Sequence, residues 1–386
     1  MEASEKFLHN YLNSCAPPGQ PGACRELWTK YVEPFSDRIL RDCYDSVAAI
    51  QGAGSRTLIL EAHSDEIAWL VNFISPEGYI YVVQSGGSDA VIAPSKKATI
   101  FSRKGPVPGV FAWPSQSNRD QADNAPKISN LFVDVGCSTR EEVLQLGIEI
   151  GDPILFEEAV TVLNNRLYSG RALDNRIGGY IIAEVARKIR QCGRDLPYAF
   201  CAVNAVQEEV GLRGAEMMAQ RLRPDIAIVV DVMNDTNTPR NDKTAKGDVA
   251  VGRGPVLPTA PSIHPLLLEK LVRVADERQI AFQRIAMSRS TGTDADAFAW
   301  SGSGIPTVLA CVPIKYMHTT VESADKADVA TTIDLLYHFI LSLNFDELET
   351  NGLFGSAYSV GTSDRRGADS LSQSNRELFQ SDGQRH

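Results

Sequence analysis

Hydrophobic and polar positions along this chain change period several times, and the changes divide it into parts. Phe7, Leu8, Tyr11 and Leu12 recur at helical spacing until Pro17, Pro18 and Pro21 interrupt them, and a second helical stretch runs over residues 24–32. Residues 56–62 form an apolar run that reads as a buried strand ending at His63. From Trp69 to Leu163 the texture is short β-type runs (79–83, 98–101, 109–111, 131–133) separated by Gly, Pro and Asn. Such spacing predicts a small barrel or sandwich. Within it, Ser138 and Thr139 ahead of Glu141 and Glu142 predict one short helix. Beyond Leu163, helices are expected at 177–189, 214–221, 266–278 and 330–343, and strands at 198–206, 225–232 and 307–312. This alternation predicts an α/β fold with a mixed, mostly parallel sheet flanked by helices. The expected organisation is an α/β domain over 1–70 and 164–350, a β-rich insertion at 71–163, and a tail at 351–386. The tail is rich in Ser, Gly, Asp, Arg and Gln, so it is expected to be flexible.

Composition narrows the class. Hydrophobic residues make up 43% and charged residues 22% of 386, which excludes a mainly disordered or collagen-like chain and permits a large core without disulfides. Lys and Arg number 38 against 48 Asp and Glu, a net charge of −10, and no basic cluster is visible. Nucleic acid is therefore not an expected partner. No apolar run reaches the ~18 residues of a membrane span, and the first residues lack the pattern of a secretion signal. The seven cysteines are scattered without any C-x-x-C pair, which argues against a zinc ribbon and for a reducing, cytoplasmic setting.

Four apolar runs share one ending. Residues 58–62 lead into His63-Ser64-Asp65-Glu66, 202–206 into Gln207-Glu208-Glu209, and 227–230 into Asp231; 308–312 is followed shortly by His318. A fifth segment sets Asp174 just ahead of a long helical stretch. Ligands of open α/β sheets bind beyond the carboxyl ends of the strands, so these side chains are expected to share one cleft. Each has an ordinary alternative: His63 as a boundary residue, Glu208 and Glu209 as solvated charge, Asp231 as a turn cap, Asp174 as a helix cap. Together, two histidines and several carboxylates without thiolates suit zinc, cobalt or manganese. A carboxylate bridging two such ions makes a centre that activates water and polarises a carbonyl, while a free carboxylate carries the proton. Residues 290–294 could line a pocket or simply form a capped turn.

These motifs, in this order, resemble the glutamyl aminopeptidase and tetrahedral aminopeptidase family. The resemblance spans about residues 5–345 and rests most on Gln207-Glu208-Glu209-Val210-Gly211-Leu212-Arg213-Gly214-Ala215. It implies two divalent ions per subunit: one held by His63, Asp174 and Asp231, the other by Asp174, Glu209 and His318. It also implies Glu208 as general base and acid, Asp65 as the residue orienting His63, and a cis bond between Asp174 and Asn175. Asn175 stands where the family often has a second Asp, and Ala68 where a Gly is common. Peptide substrates, and self-association into dimers and hollow dodecamers through the insertion, are further implications.

The resulting expectation is a metal-dependent aminopeptidase acting on short peptides. Thr293, Asp294 and Arg289 are candidates for contact with substrate, Arg289 as a cation for an acidic side chain. A metal carboxypeptidase or amide deacylase on the same scaffold is the alternative. An endoglucanase, which needs two acids flanking a sugar rather than metal chemistry, and a non-catalytic scaffold are more distant ones.

Overall fold

The runs that end in polar side chains become neighbouring strands of a single sheet. The structure is a computed structural model that describes residues 3–20, 22–115, 117 and 125–355. The chain enters through α1 (Ala3–Asn13) and α2 (Ala23–Val32), then forms β1 (Arg38–Arg41), β2 (Val47–Gln51) and β3 (Thr57–His63). The next strands are β4 (Ala68–Ile74), β5 (Ile80–Ser85), β6 (Lys97–Ser102), β7 (Gly105–Ala112) and β8 (Phe132–Asp134). The short helix α3 (Arg140–Gln145), capped by the Thr139 hydroxyl, precedes β9 (Pro153–Phe156). There follow β10 (Thr161–Leu163), β11 (Leu167–Gly170), α4 (Leu173–Gln191), β12 (Ala199–Ala205), α5 (Arg213–Leu222) and β13 (Ile226–Asn234). The chain continues through α6 (Lys243–Lys246), β14 (Val256–Thr259), α7 (Pro265–Glu277), β15 (Gln283–Ala286) and α8 (Asp294–Ala299). It then forms β16 (Thr307–Lys315), β17 (Glu322–Asp325) and α9 (Lys326–Ser342).

Eleven strands form the large sheet, in the order β1-β2-β12-β3-β13-β16-β17-β11-β10 with β14 and β15 branching from β16. The neighbours β12, β3, β13 and β16 run parallel, whereas the flanks pair antiparallel, so the sheet is mixed with a parallel centre. Central strands are buried on both faces: Leu58, Ile59, Leu60 and Ile228 have no exposed surface. Burying each such side chain contributes roughly 1.5–3 kcal/mol, which explains the continuous apolar runs there. Long helix α4 packs across β3 and β13 with Ile177, Ile181 and Val185 buried.

Strands β4 to β9 close into a barrel in the order β4-β5-β8-β7-β6-β9. Its core is Trp69, Ile80, Ile100, Phe111, Val133 and Ile154. The last strand within 71–163, β10, pairs with β11 in the large sheet instead. Asn164 and Asn165, both at positive φ, make the tight hairpin turn that allows this.

Chain contacts separate a unit over Met1–Phe345 from a second over Asp346–His386, of which residues 346–355 are described. That second unit contains most of a short helix, Phe345–Thr350. Most of the expected tail lies outside the described residues. Among the described residues, no helix is long and apolar enough to cross a membrane.

Candidate active site

Sheet register brings the candidate residues together. Parallel pairing sets Ala205 of β12 opposite His63 of β3, so Glu208 and Glu209 emerge just past His63. On the other side, Val229 pairs with Glu61, which brings Asp231 level with His63 two residues further along each strand. Asp231 in turn lies opposite Cys311 of β16, and that strand runs on to the turn carrying His318. Asp174 comes from the start of α4 and is joined to Asn175 by a cis peptide bond. Three of these segments turn through left-handed residues: Ala172 (φ 59°), Gln207 (φ 60°) and His318 itself (φ 60°). Such conformations are costly for non-glycine residues and collect at functional sites.

Two groups of ligand atoms result, His63 with Glu208 and Asp231, and Asp174 with Glu209 and His318, each within 4.8 Å. Asp174 joins them: Oδ1 lies 3.3 Å from His63 Nε2 and Oδ2 lies 3.3 Å from His318 Nε2. His63 Nε2 is also 3.8 Å from Glu208 Oε2 and 3.9 Å from Asp231 Oδ1, and His318 Nε2 is 3.5 Å from Glu209 Oε2.

The surrounding residues hold this arrangement. Asp65 faces His63 Nδ1 at 3.5 Å and accepts hydrogen bonds from the backbone N–H groups of Glu208 and Glu209. Glu322 accepts from the backbone N–H of both Asp174 (3.1 Å) and His318 (2.7 Å). Asn175 donates to the Val230 carbonyl and accepts from the Gly178 N–H, fixing the first turn of α4 against β13. Gly87, past the end of barrel strand β5, lies against His318: a Cβ there would sit 2.4 Å from Nδ1. Gly214 is required for a similar reason, since a Cβ would meet the Val206 carbonyl at 2.3 Å. Glu66 ties the site to the N-terminal segment. It binds Arg171 and Arg176 and pairs with the Ala16 backbone, while Arg176 donates to the carbonyls of Tyr11, Leu12 and Ser14.

Four buried carboxylates around two imidazoles repel one another. Burial pushes Glu208 up to about 9 and Asp231 up to about 7, and raises Glu209 well above its usual range. Burial alone would lower His63, but Glu208, Asp174, Asp65 and Asp231 lift it well above its usual value. Asp174 is the exception: burial would raise it, yet the two histidines together hold it low. Divalent cations would neutralise this excess negative charge. The oxygen and nitrogen donor set, with no thiolate in either group, fits zinc, cobalt or manganese.

Thr293 lines the cavity at this site. Asp294 does not; it is buried beside Glu61 under the site, and among the described residues the only group within hydrogen-bond reach of either carboxyl is the other. Burial pushes Glu61 up to about 8 and Asp294 well above its ordinary value, the latter with help from Glu61's charge. Arg289 is exposed and is not among the lining residues. Sequence reading missed Glu322 and Glu61. Glu322 follows His318 by four residues, a spacing that could have suggested it. Glu61, an acid inside an apolar run, was visible but had no partner in sequence.

Residues 46–335 match the family model of the M42 glutamyl aminopeptidases. A lysyl aminopeptidase of Pyrococcus furiosus is 33% identical over 316 residues, covering 81% of this chain and 89% of that protein. Among solved structures, the TET aminopeptidase of the marine sediment archaeon Thaumarchaeota archaeon SCGC AB-539-E09 superposes with a TM-score of 0.86 at 28% identity, covering 90% of this chain and 98% of the other. The TET1 peptidase of Pyrococcus horikoshii, described as able to assemble into a tetrahedron or a large octahedral shell, gives 0.77 at 26% identity, covering 88% and 100%.

Proposed function

The chain belongs to the M42 glutamyl aminopeptidase family, and from that membership we infer that it is a metal-dependent aminopeptidase removing N-terminal residues from peptides. The observation that carries the mechanistic reading is the Asp174 carboxylate, whose two oxygens face two different histidines. His63, Asp231 and Asp174 would hold one divalent ion, and Asp174, Glu209 and His318 the second; zinc, cobalt or manganese would suit these donors. When bound, the ion pair supplies Lewis-acid activation of the attacking water and of the scissile carbonyl.

The chain's own residues do the rest. Glu208, at the cavity edge of the His63 group, takes the proton of the attacking water and delivers it to the leaving amine. Asp65 acts as a positioning residue, because one carboxylate faces His63 Nδ1 and receives the Glu208 and Glu209 N–H groups. Thr293 and its neighbours in the cavity wall meet the substrate.

Self-association is part of the same proposal. Phe73, Tyr79 and Val110 are exposed on the barrel, and ring contacts link Phe73 to Tyr81 and both tyrosines to Phe132. An aromatic surface of this kind suits burial against a second copy, and the tetrahedron or octahedral shell described for the Pyrococcus horikoshii relative supports a larger self-assembly built through such contacts. Seven free cysteines support a reducing, cytoplasmic setting.

The test is hydrolysis of amino-acid p-nitroanilides by protein stripped with chelator and resupplied with zinc or cobalt. Activity that disappears on stripping and returns with metal is expected. Cleavage of N-acylated amino acids in place of free-amine substrates would move the assignment to an amide deacylase.

A further inference from the structure

The cavity that contains the candidate metal groups has a volume of about 1080 Å³, and three thioethers stand in its wall. Three of the chain's six methionines, Met233, Met287 and Met317, line it. They come from three different places in the chain, so their meeting is a property of the tertiary structure. Each is half-buried. Met233 follows Asp231 by two residues on β13, and strand alternation sets it on the same face as that carboxylate. Met317 directly precedes His318, and its sulfur accepts a hydrogen bond from Asn234 at 3.4 Å. Met287 lies just past β15. Leu212 and Trp300 extend the apolar lining, with Trp300 60% exposed at the rim.

Charged side chains find no counterpart here. Among the described residues, none of those lining the cavity is Lys or Arg, so a glutamyl or aspartyl side chain meets no cation. A lysyl side chain would need a free carboxylate outside the metal groups. Of the two candidates, Asp296 is buried and accepts from the Thr291 and Gly292 N–H groups and from the Ser262 hydroxyl, and the side chain of Glu216 is open to solvent. Glu216 pairs with Arg213 at 3.1 Å. Thioethers are flexible and polarisable, and they reshape around apolar guests of differing form.

We infer that this cavity receives the side chain of the substrate's first residue, and that it selects large, flexible apolar residues, methionine and leucine, over glutamate and lysine. The inference rests on the aminopeptidase reading of the adjoining site and adds to it the substrate class. Met233 stands two residues from Asp231 and Met317 next to His318, so a side chain on the residue whose carbonyl reacts between those groups would lie within their reach.

Two measurements test it on the metal-loaded full chain. The first compares kcat/KM for methionyl, leucyl, glutamyl and lysyl p-nitroanilides; the apolar pair is expected to lead by about tenfold or more. Met287→Lys should narrow the methionyl-to-glutamyl ratio by about tenfold, whereas Met287→Leu should preserve it. A ratio computed within one variant does not depend on how much of that variant folds. The second measurement is calorimetric binding of free L-methionine, L-leucine, L-glutamate and L-lysine. Hydrolysis led by glutamyl or lysyl substrates overturns the inference and leaves the aminopeptidase reading intact. Tighter binding of methionine and leucine by a protein that hydrolyses none of the panel supports the pocket and overturns the aminopeptidase reading. An unchanged ratio in Met287→Lys removes Met287 from the specificity wall and overturns the three-methionine account.

Discussion

Asp174 offers its two carboxylate oxygens to opposite sides, with His63 Nε2 and His318 Nε2 each 3.3 Å away. These histidines are separated by 255 positions in sequence (318 − 63) and belong to different strand ends. One short side chain therefore spans both candidate metal groups, and Glu322 fixes it by accepting from its own backbone N–H as well as from that of His318.

Asp174→Asn should empty both groups together, since an amide has only one oxygen to share. Bound metal is expected to fall from about two ions per chain toward none. Losing an outer partner of a ligand already costs about 10–100-fold, so kcat/KM should drop by more than about 100-fold. Elemental analysis after dialysis checks the first outcome; retention of both ions would end the bridging account.

Glu208→Gln should behave differently. Loss of the proton carrier should lower kcat by about 10²–10⁴-fold while metal content stays near wild type. Undiminished turnover in fully loaded protein would remove Glu208 from proton transfer.

The contact between Gly87 and His318 makes the barrel part of the site. Gly87→Ala introduces a Cβ 2.4 Å from Nδ1 of that imidazole, so His318 must turn away. Affinity for the ion in the Asp174–Glu209–His318 group should weaken by about 10–100-fold, with the other ion held more firmly. Equilibrium dialysis resolving two binding steps reads this directly, and equal weakening of both would contradict it.

Glu66, which belongs to neither candidate metal group, supports a pH prediction. Burial raises its carboxyl, but the guanidiniums of Arg171 and Arg176 together more than offset this and hold it below the ordinary range. A depressed carboxyl contributes stability in full above the ordinary Glu value of about 4.3 and loses it as pH falls through the lowered folded value. Glu66→Gln leaves Arg176 buried without its counter-ion, at a cost of about 3–5 kcal/mol at neutral pH. Urea denaturation at pH 7 and pH 3 should show the gap between wild type and variant narrowing on acidification. A constant gap would mean that the ion pairs contribute nothing that titrates.

Much of this protein was legible as pattern. The apolar runs before His63, Glu208 and Asp231 are buried parallel strands because a sheet covered on both faces leaves few polar positions, Glu61 and Asn204 among them, until it ends. That same termination marked where the chemistry begins. The short β runs likewise announced a compact β unit, and helical periodicity located α1, α4 and α9 because one face of each must pack.

Pairing across the chain was decided only in three dimensions. Nothing local tells β10 to leave the barrel and join β11, or β17 to enter the large sheet so that Glu322 meets the backbone N–H groups of Asp174 and His318. Arg289 looked available as a cation beside the site, yet the turn before α8 leaves it outside the cavity, while Asp294 is drawn beneath the floor next to Glu61. The methionine wall is of the same kind: its members lie at 233, 287 and 317, and only strand register and loop path make them neighbours. Periodicity records what each segment buries, because burial is settled residue by residue along the chain. Which buried face meets which is settled by packing among distant segments, and for this protein that packing determines both the candidate metal groups and the cavity that contains them.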